Sequence, residues 1–249
     1  MTPAPVRVAL IGMGRMGRAI DALAPERGVH VVARLDALGM QRGLTVGELC
    51  GAQVAIEFTQ PEAAIPNAVA CLALGCPVVI GSTGWSAHRQ ALDAAIAKYG
   101  CAALASPNFS LGVQLFLAFA ADAARRLRGL SMFDTHIVET HHAGKLDAPS
   151  GTALALGARV ASALGHAVPI TSVRVGSVPG THAVMFDAPF EQIRLVHEAR
   201  DRRVFADGAL VAARWLAVSR PPTLYSMQDV LSLKHAIGTP AAPHDGALA

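Results

Sequence analysis

The first hundred residues alternate between short apolar runs and longer segments in which polar residues interrupt alanine and leucine. The short runs predict buried strands, and the mixed segments predict helices. We expect strands at 7–11, 30–35, 54–58, 78–80 and 102–104, and helices at 15–23, 62–74 and 86–98. Strands that alternate with helices at this spacing are typical of βαβ units, whose parallel sheet binds ligands at the carboxyl ends of its strands. The pattern therefore predicts an N-terminal Rossmann-type domain.

The pattern changes after about residue 110. Helices are expected at 112–127 and 152–164, and strands at 133–140, 172–178, 182–187 and 192–199. The last three strands alternate apolar and polar residues, which indicates an open mixed or antiparallel sheet. A helix at 203–217 returns to the first domain. The fold expected is α/β, in which an α+β domain of residues 111–202 is inserted into a parallel-sheet domain of 1–110 and 203–249, with a loose tail from Gly238.

Composition excludes several classes of protein. With 249 residues, 52% hydrophobic and 16% charged, the chain is long and apolar enough to bury a core. The net charge of +3 comes from scattered basic residues, which argues against nucleic-acid binding. No apolar run approaches the roughly 18 residues of a membrane span, and the N-terminal residues lack a signal-peptide pattern. We expect a cytoplasmic protein with four reduced cysteines and no metal site.

A glycine-rich loop follows the first predicted strand and precedes the first helix. It has the spacing Gly-x-Gly-x-x-Gly, in a βαβ context that favours dinucleotide binding over a purely structural turn. The expected cofactor-binding residues here are Gly12, Met13, Gly14, Arg15, Met16 and Gly17. The first glycine would allow the turn, the second would let the backbone approach the pyrophosphate, and the third would let helix and strand pack closely.

Two charged residues near the end of the second strand bear on the choice between NADH and NADPH. Asp36 lies about 20 residues after Gly17, where an acid would bond the adenosine ribose hydroxyls and favour NAD. Arg34 lies close by and would instead receive a 2′-phosphate. Both residues are also compatible with solvated charges at a strand end, so the sequence leaves the cofactor open.

Two later loops fall where strand ends would approach a nicotinamide. They contain Gly81, Ser82, Thr83 and Gly84, and Ser106, Pro107, Asn108, Phe109 and Ser110. Each follows an apolar strand and offers backbone amides, small side chains or an aromatic ring. Taken alone, each pattern is also that of an ordinary loop.

The segment from Glu139 to Thr152 concentrates the chemistry of the chain. His141, His142 and Lys145 lie between a predicted strand and a helix that begins near Ser150. Ser-Gly-Thr at a helix N-terminus offers amides and hydroxyls to an anion, and the lysine adds a positive charge. Histidines titrate near neutrality. Because these features lie within 12 residues, we predict a functional site here.

This segment, His-His-x-x-Lys-x-Asp-x-Pro-Ser-Gly-Thr, resembles the signature of the 4-hydroxy-tetrahydrodipicolinate (dihydrodipicolinate) reductases of lysine and diaminopimelate synthesis. The resemblance covers nearly the whole chain. Further similar stretches are Glu57 to Pro61, Gly81 to Gly84, Pro107 to Val113, Gly180 to Phe186, His197 to Ala209 and Tyr225 to Leu231.

The resemblance implies an NADH- or NADPH-dependent reductase that forms a homotetramer, with residues 111–202 binding substrate and forming the oligomer. It implies that His141 and Lys145 handle the proton, and that His142, Lys145, Ser150, Gly151 and Thr152 hold the two carboxylates of the substrate. It adds Phe58 and Thr59 to the cofactor-binding residues. Despite their place in these motifs, His182 and His197 alternate with apolar residues, and we interpret them as structural.

The sequence also departs from the family pattern. The glycine loop is one residue shorter than the commoner form, the segment after Asp36 is abbreviated, Glu57 replaces Asp, and Gln114 replaces Asn. Two alternatives are a related imine or amino-acid reductase and a catalytically silent nucleotide sensor. The first predicts a changed anion-binding loop, and the second predicts loss of Lys145 or His141. Neither change is present.

Overall fold

The structure is a computed structural model that describes residues 4–36 and 44–232. The predicted loose tail from Gly238 and the abbreviated segment after Asp36 lie outside these residues. Among the described residues, no helix combines the length and the apolar character needed to cross a membrane.

Six parallel strands form the first sheet, in the order β10-β5-β4-β3-β1-β2. The strands are β1 (Val6–Ile11), β2 (Val29–Leu35), β3 (Val54–Glu57), β4 (Val78–Ile80), β5 (Ala103–Ala105) and β10 (Leu224–Tyr225). The middle strands are short apolar runs because helices cover both faces of the sheet. The strand order reverses direction between β1 and β3, the position at which sheets of this kind bind ligands.

Helices cover both faces of this sheet. They are α1 (Arg15–Leu23), α2 (Pro61–Ala73), α3 (Arg89–Tyr99) and α6 (Arg203–Leu216). One buried cluster joins α1 and α6 to the sheet through residues such as Ile20 and Leu210, and a second joins α2 and α3 through residues such as Leu72 and Leu92. The burial of these apolar side chains is the main force that holds the layers together.

Four strands form the second sheet, in the order β7-β6-β8-β9. They are β6 (Asp134–His141), β7 (Ile170–Arg174), β8 (Thr181–Ala188) and β9 (Glu191–Glu198). β7 pairs parallel with β6, and the other pairs are antiparallel, so the sheet is mixed. Helices α4 (Leu111–Leu127) and α5 (Gly151–Leu164) pack on one face around Phe116, Leu156 and Phe186.

The predicted fold class is confirmed: a Rossmann-type parallel sheet is combined with an inserted α+β unit that contains a mixed sheet. Most predicted bounds lie within two residues of the observed ones, and two elements differ by more. β7 ends at Arg174 instead of 178, because the chain turns at Gly176 with φ +53°. The helix expected at 86–98 begins as a 3-10 turn at Ser86–His88 before α3.

Two short elements near residue 225 were not predicted. β10 adds a strand beside β5, and α7 (Met227–Val230) follows it with a capping box formed by Ser226 and Asp229. Their lengths of two and four residues are too short for a period to be recognised. They return the chain to the first sheet beside the carboxyl end of β5.

Candidate active site

The glycine loop after β1 has the conformation that only glycine adopts readily. Gly12 has φ +97°, and a Cβ there would lie 2.1 Å from the carbonyl oxygen of Phe58. A Cβ at Gly17 would lie 2.0 Å from the carbonyl oxygen of Gly12, so the first turn of α1 packs directly on the loop. These two glycines let helix, strand and loop approach more closely than any side chain would allow.

Gly14, in contrast, borders open space. It is the N-cap of α1, and within residues 4–36 and 44–232 no atom lies within 4 Å of its side-chain position and no side chain caps the helix. No acidic residue lies in the first turn of the helix. The first backbone N–H groups of a helix lack partners within it and carry the positive end of its dipole. This surface therefore fits the phosphates of a dinucleotide.

Arg34 is paired with an acidic side chain of the neighbouring helix. Its Nε and Nη2 donate to the two carboxylate oxygens of Asp21 at 2.8 and 2.6 Å. These hydrogen bonds raise the pKa of Arg34. Its charge is consequently already matched by Asp21, while Asp36 directly follows β2.

The loops after β3 and β4 are held together by contacts of the Phe58–Thr59 turn. The Phe58 ring lies where a Cβ at Gly81 would be, 2.0 Å from its Cζ, and packs against Phe109 with centroids 5.9 Å apart. The backbone N–H of Thr59 donates to Oγ of Ser82 at 2.8 Å. The three predicted loops at the carboxyl ends of β3, β4 and β5 therefore form one continuous surface.

Glu57 lies beneath this surface and fixes the position of Thr59. It is fully buried, its Oε1 accepts hydrogen bonds from the backbone N–H and hydroxyl of Thr59, and burial raises its pKa. The extra methylene of glutamate relative to the family's aspartate is therefore accommodated inside the protein.

Asn108 connects the first sheet's loops to the helices of the second. Its Nδ2 donates to Oγ1 of Thr152 at 3.2 Å, and its carbonyl accepts from Nε2 of Gln114 at 2.7 Å. Thr152 lies in the first turn of α5. The substitution of Gln for Asn at 114 thus retains a polar contact with this loop.

The chemical segment leaves β6 and enters α5 as the sequence predicts. Ser150 caps α5, because its Oγ accepts from the backbone N–H of Ala153 at 3.2 Å. The first turn of α5 contains no acidic residue, and its backbone N–H groups carry the positive end of the helix dipole, which favours an anion. Ser150 itself is 2% exposed, whereas Gly151 is exposed and Thr152 is half-buried.

His141 lies at the end of β6 inside a network of charges. Its Nδ1 hydrogen-bonds to Oε2 of Glu139, which is fully buried. Arg174 donates from Nη2 to the other carboxylate oxygen of Glu139 at 2.7 Å. Burial lowers the pKa of His141, and Glu139 opposes that shift. Burial disfavours the Glu139 carboxylate, yet hydrogen bonds led by the one from Arg174 bring its pKa down to about 2.

Lys145 and His142 each have a charged neighbour. Nζ of Lys145 donates to Oδ1 of Asp147 at 2.8 Å, and Nη2 of Arg202 lies 3.3 Å from Nε2 of His142. Arg202 immediately precedes α6, so it brings a cation from the return segment to the β6–α5 loop.

A cleft of about 710 Å³ lies between the loops of the two sheets, and residues from the loops of both sheets line it. The predicted site residues that line this central cleft are Met16, Thr83, Ser106, Pro107, Asn108, His141, His142, Lys145, Ser150, Gly151 and Thr152. The other predicted cofactor residues lie outside its lining, at the carboxyl ends of β1 to β5. Its size is within the range of small-molecule and cofactor sites.

The polar residues of the site that were not predicted include Glu139, Arg174, His182 and Arg202. Glu139 had a sequence signal, because it lies two residues before His141 and side chains at that spacing share a face of a strand. Arg174 had none, since it reaches the site only through the pairing of β7 with β6. His182 lies in a motif that resembles the family but was interpreted as structural, and the pairing of β8 with β6 brings it to the site.

His182 supports the start of α5. Its Nε2 lies 3.2 Å from Oγ of Ser150, and its ring meets that of His141 edge-on at 5.1 Å. Burial, followed by the charge of His141, lowers its pKa to about 4. The histidine interpreted as structural therefore contacts the chemical segment directly.

The ligand atoms of Glu139, His141 and His182 lie within 4.8 Å of one another, a spacing that a metal ion can use. However, Glu139 already accepts from Arg174, whose positive charge opposes a cation at this position. We therefore assign no metal to this group.

Known proteins share this architecture and sequence. A 4-hydroxy-tetrahydrodipicolinate reductase of Thiobacillus denitrificans is 39% identical over 92% of this chain and 99% of its own length. One from Alkalilimnicola ehrlichii is also 39% identical, over 91% and 99%. The dipicolinate-bound dihydrodipicolinate reductase of Paenisporosarcina sp. TG-14 has a similar fold, with TM-score 0.73 and 24% identity over 89% of this chain and 97% of that one.

Family models match both parts of the chain. The model described as the N-terminus of dihydrodipicolinate reductase matches residues 6–109, and the one described as its C-terminus matches residues 112–231. Together they span both sheets and the central cleft. The chain belongs to the dihydrodipicolinate reductase family.

Proposed function

We propose that this protein reduces 4-hydroxy-tetrahydrodipicolinate to tetrahydrodipicolinate with a nicotinamide cofactor, in lysine and diaminopimelate biosynthesis. The observation that carries the proposal is the central cleft, where the loop containing His141 and Lys145 faces the loop of Ser106 to Asn108. The activity is that of the curated relatives by name.

The substrate is a dicarboxylate, as is the dipicolinate bound to the Paenisporosarcina relative. We assign its two carboxylates to His142, Lys145, Ser150, Gly151 and Thr152. The backbone amides at the start of α5 that Ser150 does not cap suit one carboxylate. Lys145, with the pair formed by His142 and Arg202, supplies positive charge for the other.

The cofactor is assigned to the loops that follow the strands of the first sheet. The proposed contacts are Gly12, Met13, Gly14, Arg15, Met16, Gly17, Arg34, Asp36, Phe58, Thr59, Gly81, Ser82, Thr83, Ser106, Pro107, Asn108 and Phe109. We propose that NADH is preferred over NADPH, because Asp21 already occupies the guanidinium that a 2′-phosphate would need. A phosphate placed there would also meet the Asp21 carboxylate.

His141 and Lys145 are assigned the proton. When bound, the reduced nicotinamide supplies a hydride to the conjugated imine that remains after the substrate loses water. The electron pair displaced by the hydride then takes a proton, so that the product has gained one hydride and one proton and lost one water. A positioned acid lowers the barrier of such a proton transfer.

We propose a homotetramer in which the second sheets of different copies pair. The face of this sheet opposite α4 and α5 carries Val138, Val173, Met185 and Val196, and two of these, Val173 and Val196, are 37% and 45% exposed. Apolar sheet faces are natural sites of closed symmetric assembly. Light scattering should give four times the mass of the chain, and a stable monomer would contradict this assembly.

The domain division proposed is 1–110 with 203–249, and 111–202. It is supported by α6, which packs on the first sheet, and by β10, which is a strand of that sheet. Helices α4 and α5 pack on the second sheet. A cytoplasmic location is proposed, with which the four free cysteines agree.

The decisive experiment follows nicotinamide absorbance with enzymatically generated 4-hydroxy-tetrahydrodipicolinate. We expect turnover with both cofactors and a larger kcat/KM with NADH. Absence of turnover with either cofactor would contradict the proposed activity. A preference for NADPH above about 100-fold, or ~2.7 kcal/mol, would contradict the assignment of the cofactor pocket.

A further inference from the structure

A buried carboxylate and a guanidinium stand behind His141 without lining the central cleft as substrate contacts. Glu139 lies two residues before His141 on the same face of β6 and is fully buried. It lies opposite Ser172 in the parallel register, and Arg174 lies opposite His141. Strand β6 thus places a carboxylate beside the histidine, and the pairing of β7 with β6 adds a guanidinium that donates to this carboxylate.

The contacts orient the imidazole ring. Nδ1 of His141 is engaged by Oε2 of Glu139, and the other ring nitrogen, Nε2, points towards Gly180, where a Cβ would lie 3.0 Å away. Within residues 4–36 and 44–232, Nε2 has no hydrogen-bond partner. An ionised carboxylate can only accept a hydrogen bond, so Nδ1 of His141 must carry hydrogen. Any proton that the ring exchanges with a ligand therefore resides on Nε2.

The carboxylate is itself held in place. Arg174 donates to Oε1 of Glu139 at 2.7 Å and to the backbone carbonyl of Asp147 at 2.6 Å. The backbone N–H of Ser150 donates to the same Oε1 at 3.3 Å. Glu139 therefore connects His141 to the N-cap of α5, where we place a substrate carboxylate.

We infer that Glu139 and Arg174 are positioning residues for the reduction: Glu139 fixes the ring of His141 so that Nε2 carries the transferable proton, and Arg174 keeps Glu139 ionised and aligned. The inference rests on the proposed role of His141 in the reaction. Neither residue needs to touch the substrate. Their effect reaches it through His141 and through the start of α5.

The two residues should shift the titration of His141 in opposite directions. The charged or titratable groups that face this ring are Glu139 on its own strand, Arg174 from β7, His182 from β8 and Lys145 from the following loop. A nearby negative charge stabilises the imidazolium, and a nearby positive charge destabilises it. Removal of the carboxylate should lower the pKa of His141, and removal of the guanidinium should raise it.

The experiment compares Glu139→Gln, Glu139→Asp and Arg174→Met with the wild type, and uses Glu26→Gln as a control. Glu26 is exposed and lies in the turn after α1, so this substitution makes the same chemical change outside the site. The ¹⁵N-labelled ring of His141 is titrated by NMR in the free protein, and kcat and kcat/KM are measured against pH with substrate. Arg174→Met keeps the test available if Glu139→Gln does not fold.

We expect Glu139→Gln to lower the pKa of His141 by about one unit and to reduce kcat about tenfold or more. The basic limb of the kcat/KM profile, which reports the free enzyme, should move to lower pH by the same amount. Glu139→Asp should restore part of the shift, and Arg174→Met should move the titration upward. Glu26→Gln should match the wild type.

Two results would overturn the inference. One is an unchanged His141 titration and pH profile in both Glu139→Gln and Arg174→Met. The other is a shift in the same direction in both variants, which would indicate general loosening of the site. Because the titration is read without ligand, a wild-type protein that fails to reduce the substrate would contradict the proposed function and would leave the titration result separately measurable.

Discussion

The two sides of the central cleft are built by different means. On the side of the first sheet, the loop after β1 is shaped by glycines whose missing side chains let backbone atoms approach and leave open space at Gly14. On the other side, the loop after β6 is shaped by side chains: Glu139 is joined by hydrogen bonds to His141 and Arg174, and Lys145 is paired with Asp147.

This difference matches the two ligands that we propose. A dinucleotide presents phosphates that helix N-termini and backbone amides can bind. The dicarboxylate must also receive a proton at one place, and only titratable side chains can provide that. Ligand binding at the loop after β1 should therefore tolerate the loss of a charged side chain but not the addition of a methyl group. The loop after β6 should be sensitive to the loss of a charged side chain instead.

The largest effect is expected from the proton-handling side chains. His141→Ala and Lys145→Ala should each reduce kcat by about 10²-fold or more, the scale of a positioned acid or base. Cofactor affinity, measured by fluorescence titration, should be retained because these residues lie on the other side of the cleft. Lys98→Ala, on the exposed end of α3, is the matched control and should leave kcat unchanged. Near-normal turnover in both alanine variants would show that this loop does not take part in the proton transfer.

Two glycine substitutions test the backbone side. Gly17→Ala should destabilise the protein by about 2 to 3 kcal/mol, since its Cβ would lie 2.0 Å from the carbonyl oxygen of Gly12. Gly14→Ala should fold normally, because φ −73° suits any residue and the space is open, but its methyl group should weaken cofactor binding. Urea unfolding and cofactor titration separate the two outcomes. Equal loss of stability in both variants would contradict this account of the loop.

The buried His182 should make stability depend on pH. Its folded-state pKa of about 4 lies below the ordinary value of 6.5, so the unfolded chain binds more protons between these values. The stabilising contribution is present above pH 6.5 and is lost as the pH falls through 4. Between pH 7 and pH 5, this residue should account for about 2 kcal/mol of lost unfolding free energy.

The variant His182→Gln isolates that contribution. It should flatten the dependence of unfolding free energy on pH over this interval, as measured by urea unfolding at several pH values. His166→Gln, at an exposed position after α5, is the control and should retain the wild-type slope. A His182→Gln slope equal to that of the wild type would show that His182 titrates normally in the folded protein.

The smallest effect concerns cofactor choice. Asp21→Asn should release Arg34 from its ion pair and raise kcat/KM for NADPH relative to NADH by about tenfold, or ~1.4 kcal/mol. Asp93→Asn breaks a similar exposed pair with Arg89 on α3 and should leave the ratio unchanged. If Asp21→Asn also leaves the ratio unchanged, Arg34 does not face the adenosine end of the cofactor.

Sequence periodicity predicted most of the fold, because short apolar runs and alanine-rich helices have distinct patterns. It missed β10, whose two residues show no period and gain their partner only by returning to β5. The family signature identified His141 and Lys145, because the chemical groups of that loop lie within 12 consecutive residues. Arg174 was missed because only strand pairing brings it to Glu139, a contact between positions 35 residues apart.

The hydrogen bonds of Asn108 have a thermodynamic consequence. This residue belongs to the loop proposed for the nicotinamide, and it donates to Thr152 in the helix start proposed for the substrate. If binding of one ligand strengthens this hydrogen bond, it changes the affinity of the protein for the other ligand. Linkage requires that each ligand change the affinity for the other by the same factor. We therefore expect cofactor and substrate to bind with reciprocal dependence, and Asn108 to be where that dependence is transmitted.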